Sequence, residues 1–199
     1  MLKNVVVLVS GGGTNLQALI DAQNRGEIKG GKIVGVISSK EGVFALERAK
    51  KAGIPAIVVP RKNFSRREDF DKELLSQLQN MKTDLVVMAG FLCILGKTIL
   101  KEFDRRILNV HPSLIPSFCG DGFYGLKVHK AALQYGVKVT GATVHFVNEV
   151  TDGGQIILQK AVDIEENDTP ERLQKRVMEQ AEWELLPKAV SLFCEDKIK

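Results

Sequence analysis

Hydrophobic positions along the chain fall into two alternating kinds of stretch. Short runs rich in β-branched residues occur at 4–9, 32–37, 56–59, 84–88 and 106–110. Runs of that length bounded by turn signals, such as Gly53-Ile54-Pro55, read as strands, and the continuous ones as strands buried on both faces. Between them apolar residues recur at three- and four-residue spacing: Leu16, Leu19 and Ile20 behind the first run, a helical stretch at 44–51, and Phe70, Leu74 and Leu78 within 66–79. This is the period of a helix with one buried face. The alternation predicts an α/β fold, a doubly wound and mostly parallel sheet with right-handed crossovers, whose ligands lie outside the carboxyl ends of the strands.

After residue 110 the rhythm changes. Residues 126–135 read as a helix. In 140–147 the side chains alternate, with Thr143, His145 and Val147 on one face and Val144 and Phe146 on the other, and 155–162 is a second extended run. Joined through Asp152-Gly153, a turn former, they predict a hairpin-like antiparallel addition to the parallel sheet. The last helix is predicted over 169–193, with Asp168 or Thr169 as N-cap, Pro170 in the first turn, Leu173, Val177, Ala181 and Leu185 buried, and a kink at Pro187.

Candidate chemistry collects at the strand ends. Ser10 to Asn15, SGGGTN, follows the first strand and opens the first helix. Consecutive glycines let backbone N–H groups converge on an anion, the helix N-terminus adds partial positive charge, and Thr14 and Asn15 would add side-chain donors. Leu16 occupies the last position of a G-x-G-x-x-G pattern and no Gly-Lys-Ser/Thr follows, so a single phosphate group, or simply a tight turn, remains. The fifth strand runs into NVHPSLIP. Asn109 and His111 are two apart, hence on one face of an extended strand, and the prolines keep the exit extended. An amide NH2 beside a titratable imidazole can donate to one developing oxyanion and move a proton next to it, although a hydrogen-bonded histidine capping a strand would look the same. The apolar 89–96 stretch reads as the wall of a flat ligand site or as a helix start packed on the core. Cys119-Gly120-Asp121-Gly122-Phe123 reads as a mobile loop, and the basic cluster Arg61, Lys62, Arg66 and Arg67 as a solvated face.

Composition narrows the function classes. With 199 residues, 44% hydrophobic and 26% charged, the chain fits one globular domain over 1–199. A net charge of +4 without runs of like charge demands no nucleic acid. Three dispersed cysteines, without CxxC spacing, argue against a disulfide framework or a zinc site and for a reducing cytoplasm. No apolar run approaches a membrane span, and no signal peptide is evident.

Taken in order, SGGGTN, AGF after the fourth strand, NVHPSLIP, and TVHF followed by DGG resemble the phosphoribosylglycinamide formyltransferase family of the folate-dependent formyltransferases, nearly end to end. The resemblance implies a formyltransferase-like Rossmann variant that moves a formyl group from 10-formyltetrahydrofolate to the primary amine of glycinamide ribonucleotide in purine synthesis, through a tetrahedral oxyanion and without a metal. It implies small-molecule substrates only, no nucleic acid or membrane partner, and a cytoplasmic monomer or homodimer. Asn109, His111 and Asp152 match the catalytic positions, with Asp152 expected to raise the His111 pKa. Gly13, Thr14 and Asn15 match the phosphate loop and Glu182 a contact to the glycinamide substrate. Arg67, Leu92, Cys93, Ile94, Leu95 and Asn109 match folate positions, and Val147, Asn148, Glu149, Val150 and Thr151 the loop around the pterin. His145 and His129 are expected to take no direct chemical part, His145 standing in a strand or behind the site. Three departures stand out: Cys93 where an arginine is common, a longer Phe118 to Leu126 segment, and Gln155 in place of a proline. Formyl-folate hydrolysis, formyl transfer to an amino sugar or methionyl-tRNA, and non-catalytic nucleotide binding are the rival readings.

Overall fold

Alternation within the first strand explains a sheet buried on both sides: Val5, Val7 and Val9 enter one apolar core while Val6 and Leu8 enter the other. The computed structural model describes residues 1–198. They form a seven-stranded sheet of order β3-β2-β1-β4-β5-β6-β7, with β1 Lys3–Val9, β2 Gly31–Ser38, β3 Ala56–Val58, β4 Leu85–Met88, β5 Ile107–His111, β6 Val139–Phe146 and β7 Ile156–Asp163. β1 to β5 pair in parallel, and β6 and β7 are added antiparallel. The fold class and the C-terminal hairpin are as the hydrophobic pattern predicted.

Helices cover both faces. α1 (Thr14–Asn24), α2 (Phe44–Lys51), α6 (Pro170–Val177) and α7 (Trp183–Cys194) pack on one core through Leu16, Leu19, Ala45, Leu173, Val177 and Leu186. α3 (Arg67–Asn80) and α4 (Lys97–Glu102) cover the other through Phe70, Leu74, Leu78 and Ile99. Each of these Val, Leu, Ile and Phe side chains contributes about 1.5–3 kcal/mol on burial. α5 (Leu126–Tyr135) precedes β6.

Two elements differ from the sequence expectation. α4 was not foreseen: at six residues it is too short to display a period, and 89–96 before it stays irregular instead of starting a helix. The last helix is divided by a π-turn at Met178–Glu182, whereas α7 continues through Pro187. The irregularity precedes the proline, because Pro187 leaves only the Trp183 carbonyl without its usual donor, at the junction where the wider turn has already broken the ladder. Of the two expected caps, Asp168 and Thr169, it is Thr169 that caps α6, accepting from the Arg172 N–H.

The strand order reverses between β1 and β4. Loops leaving the carboxyl ends of these neighbours part from each other, which opens a crevice, and β5 brings His111 to the same edge.

Candidate functional site

Asn109 and His111 project from β5 toward the crevice, and β6 sets His145 opposite Asn109 in register. Asp152 comes from the β6–β7 connection with φ 54°, a left-handed conformation that a short polar side chain tolerates. Its Oδ2 lies 3.5 Å from His111 Nδ1 and its Oδ1 3.5 Å from Asn109 Nδ2. His145 completes the cluster: its Nδ1 donates to the Phe146 carbonyl at 2.8 Å, and its Nε2 is 3.1 Å from Asn109 Nδ2 and 3.7 Å from Asp152 Oδ1. His145 stands in a strand behind the site, as expected, and the structure adds that its Nε2 accepts from Asn109 Nδ2 and lies beside Asp152, a role visible only once the β5–β6 register is known.

Burial of the His111 ring pulls its pKa down, Asp152 and the Phe118 carbonyl pull it up, and burial prevails, leaving it below the ordinary 6.5. Asp152 does raise the pKa, as expected, but the desolvation cost is larger than its attraction, so the net shift is downward. Burial acts on Asp152 in the opposite direction, but His145, His111 and the Gly120 N–H outweigh it and hold the carboxyl below its usual range. An ionised carboxylate thus stands beside an imidazole that is reluctant to charge.

Three hydrogen bonds tie the loop after β5 to this cluster and to the hairpin connection. His111 Nε2 donates to the Phe118 carbonyl at 2.9 Å, the Gly120 N–H donates to Asp152 Oδ2 at 2.9 Å, and the Thr151 hydroxyl donates to Asp121 at 2.8 Å. The main-chain partners among them, the Phe118 carbonyl and the Gly120 N–H, carry no residue-type signal.

Around the cluster lies a cleft of about 1220 Å³, more than one drug-sized ligand fills. Asn15 and Glu182 line one part, Asn109, His111, Asp152 and His145 another, and Arg67, Leu92, Cys93, Ile94, Leu95 and 147–151 a third. Leu92 and Ile94 keep 54% and 60% of their surface exposed, as a wall awaiting an apolar ligand would. Arg66 and Arg67 also line the cleft, so half of the basic cluster faces the site instead of serving only as a solvated surface.

The glycine loop is more constrained than its composition suggested. Gly13 sits at φ 72°, and a Cβ there would lie 2.7 Å from the Ala45 Cβ. Arg48 Nε donates to the Gly12 carbonyl at 2.9 Å. Thr14 turns its hydroxyl to Met178 Sδ at 3.5 Å, and Asn15 Nδ2 donates to Glu182 Oε2 at 2.6 Å. The second Asn15 Nδ2 hydrogen and the amides a helix leaves free in its first turn are the donors that remain there for an anion. Glu182 is buried, which pushes its pKa up to about 7 against the opposing Asn15 amide. Among the described residues no group of three or more His, Cys, Asp or Glu side chains is placed to hold a metal, and no helix is long and apolar enough to cross a membrane.

A strand-end asparagine and histidine, a hairpin aspartate and a long cleft at the switch point accord with one class: the chain matches the formyl transferase family over residues 3–190 and belongs to it. Within that family it is 41% identical to the phosphoribosylglycinamide formyltransferase of Haemophilus influenzae, across 100% of this chain and 90% of the relative. The chloroplastic phosphoribosylglycinamide formyltransferase of Arabidopsis thaliana is 40% identical, with 99% and 67% covered. The crystal structure of glycinamide ribonucleotide transformylase 1 from Symbiobacterium toebii superposes with a TM-score of 0.93 at 41% identity, over 100% of this chain and 90% of that one.

Proposed function

We propose that this protein transfers the formyl group of 10-formyltetrahydrofolate to the primary amine of glycinamide ribonucleotide in de novo purine synthesis. The observation that carries the reading is the position of the Asn109–His111–Asp152 cluster between two differently built parts of one cleft. On one side Asn15 and Glu182 line the cleft: Glu182 meets the glycinamide, and Asn15 together with the main-chain amides of the loop at Gly13 and Thr14 binds the substrate phosphate. On the other, Arg67, Leu92, Cys93, Ile94, Leu95 and the Val147, Asn148, Glu149, Val150, Thr151 segment enclose the folate. The acting unit is a single domain that needs no metal, takes small-molecule substrates, and works in the cytoplasm as a monomer or homodimer.

In the reaction the amine nitrogen attacks the formyl carbon, the carbonyl electron pair moves onto oxygen, and the attacking nitrogen loses a proton. Collapse of the oxyanion breaks the bond to N10, which leaves with a proton. Asn109 supplies one donor to the oxyanion; its N–H toward Asp152 is held at only 3.5 Å, a contact weak enough to surrender. Protonated His111 supplies positive charge, and Asp152, ionised beside it, stabilises that form. Purified protein incubated with 10-formyltetrahydrofolate and glycinamide ribonucleotide should give deformylated folate and a formylated ribonucleotide identified by mass. Formate release that does not depend on the acceptor would instead mean hydrolysis.

A further inference from the structure

Arg67 and Asp71 stand one helical turn apart on α3 and grip the two sides of a single peptide group. Arg67 Nη2 donates to the Leu95 carbonyl, and Asp71 Oδ1 accepts from the Gly96 N–H at 3.3 Å. That carbonyl and that N–H belong to one planar unit, so both of its polar ends are held from the same helix. The two side chains also hold each other, Arg67 Nε lying 3.6 Å from Asp71 Oδ2. Gly96 belongs to the arrangement, because a Cβ there would fall 1.8 Å from Asp71 Oδ2 and drive the carboxylate off.

A carboxylate 7% exposed is costly unless it is partnered. Burial pushes the Asp71 carboxyl up, opposed by the Gly96 N–H and Arg67. What the cost secures is the end of an irregular segment. Residues 89–96 lie in neither helix nor strand. Nearer their start the Leu92 N–H donates to the buried Ser10 hydroxyl at 2.9 Å; at their end stands the Arg67–Asp71 grip. Between these anchors lie the cleft-lining Cys93 and Ile94. Arg67 remains 44% exposed in its side chain, and a guanidinium has five N–H donors, so it keeps donors for a ligand while holding Leu95.

We propose that Asp71 is a positioning residue for the folate substrate: with Arg67 it clamps the Leu95–Gly96 peptide plane and so fixes the apolar wall against which the formyl donor binds. The ligand named here rests on the proposed function, whereas the clamp itself does not. Asp71→Ala and Gly96→Ala each release the plane, and Asp71→Asn keeps an oxygen acceptor for the Gly96 N–H. The first two should raise KM for 10-formyltetrahydrofolate at least tenfold, with kcat and KM for glycinamide ribonucleotide within about twofold of wild type, and Asp71→Asn should recover most of the loss. Amide hydrogen exchange read by mass spectrometry should show 89–96 exchanging at least tenfold faster in Asp71→Ala while the β1 and β4 amides stay protected. Equal rise of both KM values, or a fall in kcat alone, would overturn the positioning role, and unchanged exchange in 89–96 would overturn the clamp. If wild type turns over no folate, the proposed function fails, and the exchange comparison still decides whether Asp71 and Gly96 hold the loop.

Discussion

Replacing Asp152 by Asn is the sharpest test of the catalytic cluster, because it removes one charge and almost no volume. Asp152 Oδ2 is 3.5 Å from His111 Nδ1 and both side chains are buried, at 9% and 5% exposure. At that separation and an effective dielectric of about 20, carboxylate and imidazolium attract by about 5 kcal/mol. At about 1.4 kcal/mol per tenfold, this sets a ceiling of about a few thousandfold on the rate that the charge can supply. The asparagine keeps an oxygen dipole toward the ring, so the expected loss in kcat is about 10²- to 10³-fold. The sign of the pH effect follows from the same geometry. His111 already lies below its ordinary pKa because burial outweighs Asp152, and removing Asp152 lowers it further, so the protonated ring is lost at lower pH. In a chemistry-limited stopped-flow assay the alkaline fall of kcat should therefore move to lower pH in Asp152→Asn. A variant that retains kcat within threefold of wild type, or an alkaline limb that does not move, would refute the electrostatic reasoning.

Three further outcomes follow from the site. Asn109→Ala removes an oxyanion donor and should cost about 10²- to 10³-fold in kcat, measured under single-turnover conditions with little change in KM for either substrate. Glu182→Gln tests a buried carboxyl whose pKa is raised from 4.5 to about 7. Its protonated form is the one the fold favours, so its contribution is complete below about pH 4.5 and is lost as pH rises through 7, amounting to roughly 3 kcal/mol above that. The variant should melt several degrees higher than wild type at pH 8 and unchanged at pH 4.5, while KM for glycinamide ribonucleotide rises. Gly13→Ala forces an L-residue to φ 72° and a Cβ to 2.7 Å from that of Ala45. It should cost about 2–3 kcal/mol in urea unfolding and weaken binding of the ribonucleotide more than of the folate.

What was readable in the chain and what was not divides by the range of the interaction. Helix and strand periods are local, so the α/β alternation, the change to antiparallel pairing after residue 110 and the Thr169 cap were legible from residues within a turn or two of each other. The pairing of Asn109 with His111 on one face followed from the strand period alone, and the motifs around them tied both to Asp152 through the family resemblance. Other features needed the chain to be folded. α4 is too short to express a period, and the π-turn at Met178–Glu182, before Pro187, has no residue-type signal. That His145 holds Asn109 and stands beside Asp152 is a matter of strand register. That Asn15 gives an amide hydrogen to Glu182, 167 residues away, is set by the packing of the first helix against the last. The balance that sets the His111 pKa, burial against one carboxylate, also depends on how much of the ring the surrounding protein covers. Backbone groups such as the Phe118 carbonyl and the Gly96 N–H are the same in every residue type, so only the tertiary structure could decide which of them holds a side chain of the site.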